Sequence, residues 1–153
     1  MCVDFRDLNK ASPKYDFPLP HIDILVDNIA GHALLSIMDG FSGYNQIKMA
    51  PKDMEKISFI TPWGTYCNKV MPFGLKNVDA TYQHAATTLL HDLIYKEIEV
   101  YVDDMIVKSK NHEGHIPALQ KFFEIIQFYK LRLNPKKCTF SVTSGKLLGL
   151  MVS

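Results

Sequence analysis

Apolar residues recur along this chain in two rhythms, and each change of rhythm marks an element. Over residues 21–29, Ile22, Leu25, Val26 and Ile29 fall at helical spacing. Residues 33–38 are a short, mostly apolar run closing on Asp39-Gly40, which predicts a buried strand with a carboxylate at its end. Residues 56–60 and 66–70 predict two strands joined through Thr61-Pro62-Trp63-Gly64, where Pro at the second turn position and Gly at the fourth favour a reversal. Residues 79–94 carry a helical stripe of Ala85, Ala86, Leu89, Leu90, Leu93 and Ile94. Asp79 lies in its first turn, where negative charge suits the helix dipole.

The second half repeats the alternation. Residues 97–101 and 105–107 predict a hairpin with Asp103-Asp104 at its tip. Residues 115–131 predict an amphipathic helix with Ile116, Leu119, Phe122, Phe123, Ile126 and Tyr129 inward and Pro117 in its first turn, where a missing N–H does no harm. Residues 139–142 and 146–152 predict a last hairpin around Ser144-Gly145. The three prolines of residues 11–20 make that stretch an extended connection. The pattern implies one α+β domain, an antiparallel sheet with helices on one face.

Composition narrows the class. A chain of 153 residues, 47% apolar and 22% charged, is globular and long enough for one core. No run approaches the ~20 apolar residues of a membrane span, and the first residues lack a signal-peptide pattern, so a soluble intracellular protein is expected. Cys2, Cys67 and Cys138 are too far apart for a zinc site and odd in number, consistent with reduced thiols. His112/His115 and His84/His91 have helical spacing without accompanying Cys-x-x-Cys, and suit surface or half-buried roles better than metal binding.

Net charge is +1, with 8 basic against 10 acidic residues in 1–95 and 9 against 6 in 96–153. Lys130, Arg132, Lys136 and Lys137 cluster in the basic half, as a phosphate-contacting strip or a solvated helix end would.

Asp103-Asp104 calls for an explanation. At ~4 Å and an effective dielectric of ~20, two like charges repel by about 4 kcal/mol. Water at an exposed turn offsets this, and so does a bound Mg²⁺, which prefers carboxylate and phosphate oxygens. Asp39, ending another strand, completes a metal site if the strands are neighbours. Three carboxylates holding two divalent ions ~3.5–4 Å apart suit phosphoryl displacement.

Tyr101-Val102-Asp103-Asp104 resembles the Tyr-x-Asp-Asp box of reverse transcriptases. Further boxes follow in the family's order: Val3-Asp4-Phe5-Arg6-Asp7-Leu8-Asn9-Lys10, Phe17-Pro18-Leu19-Pro20, Asp39-Gly40-Phe41-Ser42-Gly43-Tyr44-Asn45-Gln46-Ile47, Met71-Pro72-Phe73-Gly74-Leu75 and Leu147-Leu148-Gly149. Together they span nearly the whole chain and look most similar to the pol polyproteins of gypsy-type LTR retrotransposons, especially plant ones.

The resemblance implies a polymerase palm with part of the fingers, the thumb being absent. Fingers segments are expected at about 1–30 and 48–75, and palm at about 31–47 and 76–153. It implies an RNA-directed DNA polymerase, a nucleotidyltransferase, acting on dNTPs, an RNA or DNA template and a DNA or RNA primer. Two Mg²⁺ ions, or Mn²⁺, are the expected cofactors. Asp39, Asp103 and Asp104 become the catalytic metal ligands. Gly40, Tyr44, Phe73 and Gly74 become nucleotide-binding residues, and Tyr101, Leu148, Gly149 and Leu150 primer contacts. Tyr44 is placed as a gate against a ribose 2′-hydroxyl; a core aromatic is the rival role. Such an element works in the cytoplasm, in virus-like particles, or in the nucleus, without a membrane.

Two departures limit the expectation. Basic fingers residues upstream of Val3 and the thumb, connection, ribonuclease H and integrase regions are missing, so the isolated chain is expected to show little or no primer extension. Asp79 stands where relatives carry a small residue or Pro, and Leu150 where a His or aromatic is frequent. An inactive retroelement remnant, at most a nucleic-acid-binding or interaction module, is the alternative; an RNA-templated RNA polymerase palm fits Tyr44 and the boxes less well.

Overall fold

The computed structural model describes residues 3–147 and 150–152. Among them α1 (Arg6–Ala11) and α2 (Ile22–Ile29) precede β1 (Leu34–Asp39). Next come α3 (Pro51–Met54), the hairpin β2 (Phe59–Thr61) and β3 (Gly64–Tyr66), and α4 (Val78–Leu89). The hairpin β4 (Ile98–Tyr101) and β5 (Asp104–Ser109) leads into α5 (His112–Phe128). β6 (Thr139–Val142), β7 (Gly145–Leu147) and β8 (Leu150–Val152) close the chain.

One antiparallel sheet, in the order β4-β5-β1-β6, organises the molecule. β1 and β5 stay in register from Leu34 opposite Ser109 to Asp39 opposite Asp104. Because side chains alternate across a strand, the sheet has two distinct faces. Met38, Ile98, Val100, Met105 and Val107 meet Tyr82 and Ala86 of α4 and Phe122 of α5 in one core. Phe122 is fully buried, and burial of such a ring stabilises by about 1.5–3 kcal/mol. Leu35, Ile37 and Ile106 point the other way, onto Leu25 and Ile29 of α2. The helical layer expected from the periodicity is therefore α4 with α5, while α2 covers part of the opposite face. Asp39 and Asp104 project from that opposite face, one strand position or two beyond α2's contacts.

Several expected boundaries move, each for a local reason. The first hairpin is shorter than expected, because Thr61 pairs with Gly64 across a tight Pro62-Trp63 turn. Lys56 lies in a 3-10 turn, and residues 69–71 pair with residues 47–49 instead of extending β3. α4 ends at Leu89, and residues 90–94 continue as turns.

α5 begins three residues earlier than expected, because the Asn111 side chain accepts from the Gly114 N–H at 2.8 Å and caps it. Pro117 consequently falls in the second turn. Both it and Glu113, whose carbonyl loses a partner, are exposed, so water can satisfy that group. The buried stripe is His115, Ala118, Leu119, Phe122 and Ile126; Ile116, Phe123 and Tyr129 are exposed instead.

His115 occupies an inward position because two hydroxyls meet it. Its Nε2 lies 2.8 Å from Ser36 Oγ and its Nδ1 2.9 Å from Ser109 Oγ. Burial, and then the charge of His112, hold its pKa below the ordinary imidazole value. The unfolded chain takes up this proton near pH ~6.5 while the folded chain resists it. The stabilisation is thus complete above that pH and is lost as pH falls through it. On going from about pH 7.5 to about pH 5.5 the wild type should lose more stability, read as urea midpoint, than a His115→Asn variant; the raised carboxyls of Asp103 and Asp104 act with the opposite sign but equally in both proteins.

Candidate active site

The register of β1 against β5 builds the site. It sets the Asp39 and Asp104 backbones directly opposite each other. The β4–β5 turn places Asp103 beside them, and the Gly40 N–H donates to the Asp103 carbonyl at 2.9 Å. Gly40 and Gly43 permit this approach. A Cβ on Gly40 would stand 2.9 Å from the Tyr82 hydroxyl, and one on Gly43 3.0 Å from Asp103 Cβ. Two of the carboxylates therefore begin adjacent strands, or end them, rather than both sitting at a hairpin tip: Asp103 is in the turn and Asp104 is the first residue of β5.

The electrostatics follow from this crowding. Burial, and then Asp103 and Asp39, push the Asp104 carboxyl up to about 6. Burial and the charge of Asp39 also raise Asp103 above the usual carboxylate range. Tyr82 is pushed up to about 12 by burial and by Asp103 and Asp39. Lys137 supplies a counter-charge, with Nζ 3.1 Å from Asp39 Oδ2. Of the basic cluster 130–137, this side chain is the one turned onto a carboxylate. Among the described residues no three His, Cys, Asp or Glu side chains close into a metal cage as they stand. The donors are nonetheless hard oxygens, half-buried and short of positive charge, and these are the conditions that a divalent cation relieves.

The nucleotide-side candidates gather next to the carboxylates. The Tyr44 ring meets Phe73 edge-on, with centroids 5.0 Å apart, and Tyr82 at 5.8 Å. Phe73 is exposed, and Gly74 has φ +91°, a conformation that suits glycine. The Asn9 side chain holds this turn, donating to the Gly74 carbonyl at 2.7 Å and accepting from the Lys76 N–H at 2.8 Å. The boxes around Asn9 and Phe73 are thereby joined across 65 residues.

Tyr101 is half-buried and pairs with Asp104. Leu148 and Gly149 lie outside the described residues. Leu150 begins β8, its backbone paired with Leu147. The hairpin β7–β8 abuts β1 at Gly145, where a Cβ would collide with Ile37 Cδ1.

The sequence pattern gives no role to Gln83, yet this residue braces the β4–β5 turn that carries Asp103. It is 2% exposed; its Oε1 accepts from the Val102 N–H at 2.6 Å, and its Nε2 donates to the Val100 carbonyl at 3.0 Å. Val102 needs the brace, because it is β-branched with φ +53°, a conformation costing about 1–3 kcal/mol. Nothing in the sequence pattern signals it: it is a polar residue on the inward face of α4 whose partners lie 17 and 19 residues away. Gln83→Leu orphans a buried N–H and a buried carbonyl, each at about 1–3 kcal/mol. A urea titration should show the loss, and Val102→Gly in that background should recover part of it.

Known proteins are similar to this chain in sequence and in fold. The family described as reverse transcriptase (RNA-dependent DNA polymerase) matches residues 1–152. The chain is 33% identical over 153 residues to the retrovirus-related Pol polyprotein from transposon gypsy of Drosophila melanogaster, covering 100% of this chain and 15% of that polyprotein. It is 30% identical over 151 residues to the Pol polyprotein from transposon 297 of the same organism, covering 99% of this chain and 14% of that one. The foamy viral protease-reverse transcriptase in complex with RNA/DNA hybrid matches in fold, with TM-score 0.87 and 22% identity over 97% of this chain and 20% of that one.

Proposed function

This chain belongs to the reverse transcriptase (RNA-dependent DNA polymerase) family, and from that premise we propose that it adds deoxynucleotides to a primer 3′ end on an RNA or DNA template. The observation that carries the proposal is the pairing of Asp39 with Asp104 beside Asp103. Fingers segments of about 1–30 and 48–75 and palm segments of about 31–47 and 76–153 divide the work, with α2 docked on the palm sheet.

Each residue has a task in this proposal. Asp39 and Asp103 are the principal ligands of two divalent ions, Mg²⁺ or Mn²⁺, and Asp104 completes the set. When bound, such ions supply the positive charge that activates the primer hydroxyl and neutralises the triphosphate. Gly40 lets the backbone lie close to Asp103, among the residues that would hold the ions. Tyr44 stands under the sugar, and Phe73 and Gly74 flank the nucleotide. Tyr101, Leu148, Gly149 and Leu150 contact the primer end. Lys137 holds Asp39 and supplies the counter-charge that a bound divalent ion would also supply. Among the described residues no helix is long and apolar enough to cross a membrane.

Single-turnover addition tests the proposal, with the chain in excess over a DNA primer annealed to an RNA template. One dNTP should be added in Mg²⁺ or Mn²⁺, and EDTA should stop it. Binding of the duplex without any addition in either ion would favour the second proposal, a nucleic-acid-binding module. One observation speaks for that module: Asp39 is already neutralised by Lys137.

A further inference from the structure

Asp79, one of the two positions at which the sequence departs from the expected family pattern, touches Tyr44 directly. The Tyr44 hydroxyl donates to Asp79 Oδ1 at 2.5 Å. Asp79 is exposed in the first turn of α4, and among the described residues no cation pairs with it. Its position is set by the helix that also carries Tyr82 and Gln83, so the anchor for Tyr44 stands on the element that braces the β4–β5 turn. The ring thus has three restraints: the edge of Phe73, the edge of Tyr82 and a charge-assisted hydrogen bond at its tip.

We propose that Asp79 is a positioning residue for sugar selection, its carboxylate fixing the Tyr44 ring across the place a 2′-hydroxyl would take. The proposal rests on the assignment of Tyr44 to the sugar side of the nucleotide. Two edge-on aromatic contacts leave a ring free to swing about its Cα–Cβ bond; a hydroxyl held by a helix-borne carboxylate removes that freedom. The carboxylate also carries a cost. It adds negative charge where a triphosphate approaches, so it should raise KM for every nucleotide while sharpening the choice of sugar.

The two effects separate by substitution. Asp79→Asn keeps an acceptor for the hydroxyl and removes the charge, whereas Asp79→Ala removes both, and Tyr44→Phe removes the donor alone. The first readout is independent of activity: ¹⁹F NMR of the protein labelled with 3-fluorotyrosine, with the Tyr44 signal assigned by its loss in Tyr44→Phe. Wild type and Asp79→Asn should give one sharp ring environment, and Asp79→Ala an averaged or doubled one.

The second readout is the ratio of kcat/KM for dCTP and rCTP. Asp79→Ala and Tyr44→Phe should each lower discrimination by about tenfold, the worth of a hydrogen bond to a charged group. The double variant should lose no more than either alone. Asp79→Asn should lower KM for both nucleotides and leave the ratio unchanged.

An unchanged ring signal in Asp79→Ala overturns the anchor. A ring freed in Asp79→Ala with discrimination unchanged overturns the selection role. Tyr44→Ala separates the underlying assignment: if it too leaves discrimination unchanged, Tyr44 is no gate, and the proposal fails with that assignment and not through Asp79.

Discussion

Asp103→Asn is expected to slow nucleotide addition by about 10²–10³-fold, the effect of removing one preorganised electrostatic group from a reaction centre. The substitution preserves shape, so the Gly40 N–H can still reach the residue 103 carbonyl and the turn should keep its form. What disappears is one negative charge of three. The same change should stabilise the metal-free chain, because burial and the neighbouring charge of Asp39 disfavour the ionised Asp103. Opposite signs for activity and stability are the signature of a functional carboxylate. Single-turnover addition and a urea titration on the two proteins read both. A variant that loses stability and activity together would point to a structural role for Asp103.

The second large effect lies under α2. Glu99 and Lys108 are 2% and 5% exposed, and Lys108 Nζ lies 2.7 Å from Glu99 Oε1. Lys108 also donates to the Asn28 carbonyl at 2.7 Å, at the C-terminal end of α2, where a cation complements the helix dipole. Glu99→Ala leaves an ammonium buried without its partner and should destabilise by about 3–5 kcal/mol. Glu99→Leu combined with Lys108→Met should cost much less, since no charge is then stranded. Urea denaturation of the single and double variants checks both. Equal losses in the two would mean that packing, not charge, decides the stability of this face.

These two cases also show what the sequence could disclose. The helices α2, α4 and α5, strand β1 and the β4–β5 hairpin were legible because their apolar residues keep helical or strand period, and Asp39 was legible as the end of a buried run. The family boxes supplied Tyr44, Phe73 and Gly74, which periodicity alone leaves ambiguous. Glu99, Gln83 and His115 were not legible. Each is a polar residue at an inward position, and its partners lie 6 to 79 residues away in sequence. Helix limits failed where a side chain rather than periodicity set them: Asn111 moved the start of α5, and with it the place of Pro117. The inward face of α5 shifted because the sheet offers His115 two hydroxyls, leaving Ile116 and Phe123 exposed. Asp79 stood out in the sequence as a departure; only the fold shows that it meets Tyr44.

Whether Asp39, Asp103 and Asp104 form one cation site for nucleotide transfer can be read by titrating the chain with Mn²⁺ and following free ion by electron paramagnetic resonance, with and without dATP. The wild-type chain should bind an ion alone and a second only with the nucleotide. Asp39→Asn and Asp103→Asn should each weaken that binding by at least about tenfold. Binding curves that are the same for the wild type and both variants would contradict a shared cation site.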